Sequence, residues 1–396
     1  MTAPPPRISA LRLFDYYVIE GLSAFACTIL QLGLYFWARE RYGFSNTENL
    51  LLGAVHGISH ILGSRWGGCI ADRWGYTRLM APAFLVCGAA GLLGWLSDAR
   101  FTPYLMMAVY GTSIAATWPA LEGGAMHLPG RFNIPQRLGI YNLTWSLSGA
   151  AGFFTCGFLF AWDPNAVLWF AGTVHLLQLA WMAYHHGRHA PEGAAAMNFT
   201  HRGDHQSPAL KQNRLRLALL ANSLGFFLIG GFSALTPHLG EKLGLSASAT
   251  IWLSASLLAA RAVGFLVYWR WEGWHYRLVW GHIALWTPPL VLAVIFFGPS
   301  LIVVAPACLL LGATLGLSYY MSLYYALDAG DRKGEQGGLH ESIIGIGILC
   351  GPLAGAAGGW LLGSTTGAKA AILLGAVGLA AIGLRFVAGD GASRND

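Results

Sequence analysis

Four of the ionisable side chains that lie inside long apolar stretches of the sequence could do chemistry there. Glu20 could carry a proton or bind a substrate, or it could form an ion pair near the end of its stretch. Arg261 could bind an anionic group or a carboxylate such as Glu20, or it could extend its charge to an interface. His56 and His60 share a helix face and could hydrogen-bond locally, relay protons or bind a metal. Burial of such groups in hydrocarbon is costly, so we treat them as functional candidates.

The composition indicates that these stretches cross a membrane. The chain has 396 residues, of which 55% are hydrophobic and 11% are charged, and its mean hydropathy is +0.51. Soluble domains carry about 25% charged residues, so an ordinary soluble enzyme, a coiled coil and a disordered chain are excluded. The net charge of +6 is spread over loops, which argues against a nucleic-acid partner. Phosphate-loop and hydrolase motifs are absent, so we expect neither an enzyme nor a cofactor.

Twelve apolar spans organise the chain as an all-α membrane protein. A polar segment divides them six and six, which predicts an N-terminal half over 1–186, a linker over 187–213 and a C-terminal half over 214–396. The predicted spans are 13–38, 48–70, 79–97, 103–126, 138–161, 165–186, 215–238, 248–269, 278–297, 300–327, 338–363 and 367–387.

The distribution of basic residues predicts the orientation in the membrane. With twelve spans and the N-terminus inside, 17 lysines and arginines fall on the cytoplasmic side and 5 on the outer side. This excess predicts that both termini are cytoplasmic. The compact loops favour a bacterial inner membrane, and we expect a monomer whose partners are the lipid bilayer, a small-molecule substrate and protons.

A weak internal repeat relates the two halves. At an offset of 201, the matched pairs are Gly43 with Gly244, Ser45 with Ser246, and His60 with Arg261. With one residue of slip, Glu20 matches Asn222, which we therefore add to the substrate and proton-coupling candidates. Duplicated six-span halves are typical of secondary transporters, whose substrate sites lie near the midplane.

The loop after span 2 makes the family resemblance specific. It reads GGCIADRWGYTRL and places a glycine, an acid, a base, a glycine and a base at Gly68, Asp72, Arg73, Gly75 and Arg78. This pattern resembles the signature loop of the major facilitator superfamily. The resemblance implies a latch in which Gly68 lets span 2 approach span 11 and Asp72 lies near that helix. The alternative is a solvated charged turn. A degraded copy, WEGWHYRL, follows span 8.

The resemblance implies a fold of two pseudo-symmetric six-helix halves and transport by alternating access. It places Glu20 and span 10 at the central cavity, where Tyr320 and Tyr324 could stack on a sugar or ring, or simply pack. We expect proton-coupled symport or antiport. An uncoupled facilitator, or a receptor or scaffold with the same fold, remains an alternative. Span 4 lacks the Arg-xxx-Gly pattern that is linked to proton transfer in many members of the superfamily, and span 5 lacks the Gly-Pro pattern of many drug antiporters.

Two further acids and a glycine stripe complete the candidates. Glu122 ends span 4 and could pair with Arg131 or Arg137 at a gate, or form a structural salt bridge. Glu341 is expected at the start of span 11, where the helix dipole favours an anion. Glycines four residues apart predict a close-packed face on span 11, either between the halves or within one half. They are Gly347, Gly351, Gly355 and Gly359.

Overall fold

The computed structural model describes residues 11–127, 132, 134–186, 206–329 and 333–392, and within these ranges the chain is helical with no strand. The first six helices are α1 (Leu13–Tyr42), α2 (Asn46–Trp74), α3 (Tyr76–Gly94), α4 (Thr102–His127), α5 (Ile134–Trp162) and α6 (Ala166–His185). The other six are α7 (Pro208–Leu243), α8 (Ala247–Arg270), α9 (Leu278–Phe297), α10 (Leu301–Ala329), α11 (Lys333–Leu362) and α12 (Thr365–Ala392). The predicted twelve-helix architecture is confirmed.

Ten of these helices are long and apolar enough to cross a membrane. The other two are α2 and α4. They have 29 and 26 residues, which is enough length for a bilayer core of about 30 Å. Histidine, serine, arginine and many glycines lower the hydropathy of α2, and these polar groups include the candidates His56 and His60.

Capping residues determine where the helices begin, and hydropathy predicts these positions less accurately. The Ser207 side chain accepts a hydrogen bond from the Leu210 amide, with Pro208 in the first turn, so α7 begins at 208 rather than at the predicted 215. Residues 208–213 of the predicted linker are therefore helical, and its residues 187–205 lie outside the described part. The α11 helix begins at Lys333, five residues before the predicted 338.

The internal repeat is visible as two equivalent turns. Gly43 and Gly244 follow α1 and α7 with φ of 63° and 66°, a left-handed conformation that favours glycine. Ser45 then caps α2 in a reciprocal box with Glu48, and Ser246 caps α8 by accepting from the Ala249 amide. Residues matched by the sequence repeat therefore have the same structural role in the two turns.

Contacts divide the chain into two compact units. The first takes in the described residues of Met1–Leu34 and Ser59–Phe199, where α3 packs on α4 and α6. The second takes in those of Tyr35–Ile58 and Thr200–Asp396, where α10 packs on α7, α8 and α9, and α11 packs on α7 and α12. The end of α1 and the start of α2 thus belong to the second unit.

Candidate functional site

Glu20 lies in the interior of the first unit. Its side chain is 0% exposed, and its Oε2 accepts a hydrogen bond from the Tyr141 hydroxyl of α5 at 3.0 Å. A phenol stabilises a carboxylate by donating to it, yet it brings no positive charge. This carboxyl group therefore sits where a change of protonation has a large energetic consequence.

Small residues bring α5 close to α1 near this pair. A Cβ added to Gly152 would lie 2.2 Å from Thr28 Oγ1 and 2.5 Å from the Phe25 carbonyl oxygen, so no other residue fits without a shift. The Thr28 hydroxyl also donates to the Gly149 carbonyl at 3.1 Å. This close packing lets the Tyr141 hydroxyl reach across to α1.

A buried hydrogen-bond chain reaches the same part of α1 from α4 and α6. The Tyr110 hydroxyl lies 2.7 Å from His175 Nε2, and His175 Nδ1 lies 3.0 Å from Gln178 Oε1. Gln178 Nε2 donates to the Ile19 carbonyl at 2.8 Å and to Ser23 Oγ at 2.5 Å. Because Gln178 Oε1 can only accept, His175 donates from Nδ1 and accepts from Tyr110. The chain holds the backbone one residue before the buried carboxylate, and its histidine was not among the predicted site residues.

His56 and His60 both lie on α2. His60 is buried, and its carbonyl accepts from the Ser64 hydroxyl at 2.7 Å, whereas His56 is half-buried. Among the described residues, no group of three or more His, Cys, Asp or Glu side chains could hold a metal ion. Their proton-relay role stays a prediction.

Arg261 is enclosed by aromatic rings in the second unit. Its guanidinium carbon lies 5.0 Å from the ring centre of Tyr319, 5.4 Å from that of Phe226 and 5.5 Å from that of Phe265. The residue is 2% exposed. Three cation–π contacts stabilise a buried charge and fix the guanidinium in one place. Asn222, one turn before Phe226 on α7, is also buried.

Tyr320 and Tyr324 take part in a different aromatic cluster. The Trp274 ring lies 5.9 Å from the Tyr320 ring and 5.1 Å from the Tyr324 ring, and His275 stacks on Tyr324 at 4.1 Å. Tyr319, which was not among the predicted site residues, is a span-10 tyrosine that contacts Arg261. The cluster joins α10 to the loop between α8 and α9.

This loop is the degraded copy of the signature. Tyr276 has φ of 57°, its amide donates to the Tyr325 hydroxyl at 2.8 Å, and its hydroxyl donates to Asp328. Lys211 of α7 also contacts Asp328 at 3.4 Å. Burial and the Asp328 carboxylate raise the pKa of Tyr276, and burial lowers the pKa of His275 against the opposing pull of Glu272 and Asp328. Asp328 therefore links this loop and the start of α7 to the end of α10.

Comparison of the chain with known protein families identifies what kind of protein it is. A model described as the Major Facilitator Superfamily matches residues 17–352. The chain belongs to the Major Facilitator Superfamily. Ten helices among the described residues are long and apolar enough to cross a membrane, and the chain is an integral membrane transporter of this superfamily, which implies a small-molecule substrate. No curated protein matches the chain significantly.

Solved structures share this superfamily fold at low sequence identity. The nucleoside transporter NupG is 10% identical with a TM-score of 0.69, over 96% of this chain and 99% of that one. The human organic anion transporter MFSD10 is 17% identical with a TM-score of 0.65, over 97% and 99%. A bacterial homologue of the human lysosomal transporter Spinster, in an inward-facing and occupied conformation, is 15% identical with a TM-score of 0.71, over 94% and 95%.

The superfamily signature region contains two adjacent glycines with different surroundings. A Cβ on Gly68 would be 3.8 Å from Pro119, an ordinary contact, whereas a Cβ on Gly67 would be 2.3 Å from the Ala116 carbonyl oxygen of α4. This part of α2 therefore packs closely on α4 at Gly67, and the approach of Gly68 to span 11 stays a prediction. Gly75 has φ of 93° and forms the turn before α3. The three charged side chains of the loop are exposed, namely those of Asp72, Arg73 and Arg78.

Of the two gate acids, Glu341 lies deeper in its helix than the sequence pattern suggested, whereas Glu122 lies near the end of α4 as expected. Glu341 lies in the third turn of α11, because the helix begins at Lys333, so the predicted position at the helix N-terminus is wrong. Glu341 is buried, and Glu122 is half-buried near the end of α4. Arg137 donates to the Ala125 carbonyl at 3.3 Å and thereby caps α4. Arg131 lies outside the described residues.

The glycine stripe on α11 packs against more than one helix. A Cβ on Gly347 would be 2.6 Å from the Ser223 carbonyl oxygen, and one on Gly351 would be 1.9 Å from that of Phe227, both on α7. Gly355 faces Leu50 of α2 and Ile372 of α12, at 2.9 Å and 3.0 Å from an added Cβ, and Gly359 has only ordinary contacts. The first two glycines therefore pack within the second unit.

A polar link in the second unit was not foreseen from the sequence. Arg39 Nε and Nη2 each donate to a carboxylate oxygen of Glu241 at 2.7 Å, although the residues are 202 positions apart. Arg39 Nη1 donates to Asn46 Oδ1 at 2.8 Å, and Asn46 Nδ2 donates to Thr365 Oγ1 at 2.8 Å. The network joins the end of α1 and the start of α2 to α7 and α12.

Proposed function

We propose that this transporter moves a small organic solute by alternating access and couples that movement to protons through Glu20. The observation that carries the coupling is the complete burial of the Glu20 carboxyl group in a membrane-spanning helix, with the neutral Tyr141 hydroxyl as a donor. The fold neighbours include a nucleoside transporter and an organic anion transporter, which supports a small organic solute.

The chemistry follows from the cost of burying charge. A buried carboxylate is expensive, so a ligand or a water-filled conformation that stabilises the charge of Glu20 favours its ionised form, and loss of that stabilisation favours proton uptake. Tyr141 lowers this cost by donating to the carboxylate, and the buried His175 chain holds α1 in register beside it. Protonation and solute binding then bias the same conformational equilibrium, which is the requirement for coupling.

The remaining predictions complete this proposal. The functional halves are 1–186 and 214–396, joined through 187–213, and His56 and His60 assist proton movement along α2. The protein acts as a monomeric transporter rather than an enzyme, without a nucleic-acid partner, in a bacterial inner membrane with both termini in the cytoplasm.

Transport by the purified protein in liposomes tests the proposal. Uptake of radiolabelled uridine, benzoate, glucose and alanine is measured with and without an imposed pH gradient, for wild type and for Glu20→Gln. The amide mimics the protonated acid, so we expect accumulation to be lost and solute exchange to remain. Glu40→Gln is the matched control, because Glu40 is an exposed acid on the same helix.

Three outcomes would contradict parts of this proposal. Gradient-driven accumulation by Glu20→Gln at the wild-type level would remove Glu20 as the coupling residue. Wild-type flux that ignores the pH gradient would instead indicate an uncoupled facilitator. Specific binding without flux of any solute would indicate a receptor.

A further inference from the structure

Two lysine side chains meet at the C-terminal end of α9. Lys242, in the last turn of α7, donates to the carbonyl oxygen of Gly298 at 2.7 Å and to that of Phe296 at 3.1 Å. Lys369, in the second turn of α12, donates to the same Phe296 oxygen at 3.3 Å. Because both ammonium groups bond to one oxygen atom, two like charges lie close together at this helix end, where they repel each other.

Lys369 is the deeper of the two lysines. It is 6% exposed, and its ammonium nitrogen lies 6.0 Å from the ring centre of Phe296 and 5.9 Å from that of Phe297. Lysine is almost never buried to this extent without an acidic partner. Among the described residues, no carboxylate forms an ion pair with Lys369 or Lys242. An ammonium group has three N–H donors, so Lys369 can donate to a further acceptor beside the Phe296 oxygen.

The charges around the lysine pair do not balance. The neighbouring ring of His238 is influenced by four charged groups, those of Lys369, Glu241, Arg39 and Lys242. Glu241 is the one carboxylate in this group, and Arg39 already neutralises it through two hydrogen bonds of 2.7 Å. The last carbonyl groups of α9 supply about half an elementary negative charge. Most of the charge of the two lysines therefore still calls for an anion.

The surroundings favour a small monovalent anion over an oxyanion. The carbonyl oxygens of Phe296 and Gly298 lie directly beside the ammonium groups, and they would repel the several oxygens of a sulfate or a phosphate. A halide ion is a single atom that accepts N–H groups from both lysines at once. Lys242 is exposed, so an ion from solution can reach the pair.

We propose that Lys242 and Lys369 together bind a chloride ion at the end of α9, and that this ion stabilises the packing of α7, α9 and α12 there. The residues of the site all belong to the second unit. The inference goes beyond the transport proposal, and it depends neither on Glu20 nor on the identity of the solute.

The melting temperature of the purified full-length protein tests this assignment. Sodium chloride is exchanged for sodium gluconate or sodium sulfate at constant ionic strength. We expect chloride to raise the melting temperature of wild type with saturation, because a ligand that binds the folded state stabilises it by mass action. Lys369→Met should raise the half-saturating chloride concentration about 10-fold or more, because a charge-assisted donor is lost. The response to chloride is compared rather than the melting temperature itself, since removal of a like charge changes stability on its own.

Two further variants complete the test. Lys242→Met should weaken the chloride response as well, and its exposed position makes this substitution easy to accommodate. Arg385→Gln is the matched control, because Arg385 is an exposed cation on α12, and it should respond to chloride like wild type.

Several results would overturn the assignment. One is an equal melting temperature of wild type in chloride and in gluconate, and another is an equal effect of sulfate, which indicates screening alone. A wild-type response in Lys369→Met, or a lost response in Arg385→Gln, would contradict it as well. If Lys369→Met does not fold, Lys242→Met decides by the same comparison. None of these results bears on proton coupling through Glu20, which liposome flux tests separately.

Discussion

Gly57→Ala perturbs the closest approach between α2 and α11. A Cβ at Gly57 would lie 2.3 Å from the Leu349 amide nitrogen and 2.4 Å from its Cα, and both are backbone atoms that cannot turn aside. Ordinary contact begins at 3.4 Å. The added methyl group must therefore push the helices apart by about 1 Å, because packed interiors have no spare volume.

The size of the effect follows from this overlap. Overpacking of a close contact costs typically about 1–3 kcal/mol. That cost falls only on conformations in which α2 and α11 touch, so the population of these conformations should drop by roughly 5- to 150-fold relative to any conformation in which they separate. Gly53→Ala should have a smaller effect, because the three atoms nearest to its Cβ all belong to side chains, namely two atoms of Pro352 at 2.9 Å and 3.1 Å and the Tyr35 hydroxyl oxygen at 3.2 Å.

Spin-label distances measure this shift directly. Labels are placed on Leu51 of α2 and Leu361 of α11, both exposed, after the exposed Cys69 and Cys350 are changed to serine. We expect Gly57→Ala to transfer population from the short distance to longer ones.

The control for this series is Gly378→Ala on α12, where a Cβ would meet no atom within 4 Å. It should leave the distance distribution and the melting temperature unchanged. A Gly57→Ala distribution identical to that of wild type, in a folded protein, would refute the reasoning. So would an equal shift in the control.

Three further predictions concern the links around the site. Glu241→Gln should lower the melting temperature slightly, because its bidentate pair with Arg39 is partly exposed and such pairs stabilise a protein by about 1 kcal/mol or less. A double-mutant cycle with Arg39→Gln that gives no coupling energy would contradict this prediction. His175→Phe should destabilise the protein and shift the pH profile of transport. An unchanged pH profile of transport in this variant would show that His175 serves only in packing. Burial holds the pKa of His275 below 6.5, so the stability that it contributes is present above about pH 6.5 and is lost as the pH falls. The melting temperature of His275→Gln should therefore fall less at acid pH than that of wild type. An equal fall in both proteins would exclude His275 as a source of the acid sensitivity.

Local and repeated features of the fold could be predicted from the sequence. The spans follow from hydropathy, and the matched Gly43 and Gly244 turns follow from the repeat, since both need a left-handed residue and a serine cap. The superfamily signature is likewise a local pattern. Helix ends were less accurate because caps rather than apolar residues determine them, as Ser207 shows for α7.

Side-chain partners could not be predicted in the same way. Membrane helices are apolar on most faces, so the sequence offers no amphipathic period that distinguishes Tyr319 at Arg261 from Tyr320 at Trp274. For the same reason His175 was not predicted as a site residue, because α6 is apolar on most of its faces. The Arg39 and Glu241 pair joins residues 202 positions apart, and only tertiary packing brings them together.

Direct recording of proton movement tests the central claim that Glu20 couples transport to protons. A pH-sensitive dye inside liposomes reports proton flux when an outward gradient of the transported solute is imposed without a pH gradient. The account predicts an internal pH change that accompanies solute flux in wild type and Glu40→Gln and is absent in Glu20→Gln, which still exchanges solute. Solute-driven proton flux that persists in Glu20→Gln, or its absence in wild type during solute flux, would contradict the account.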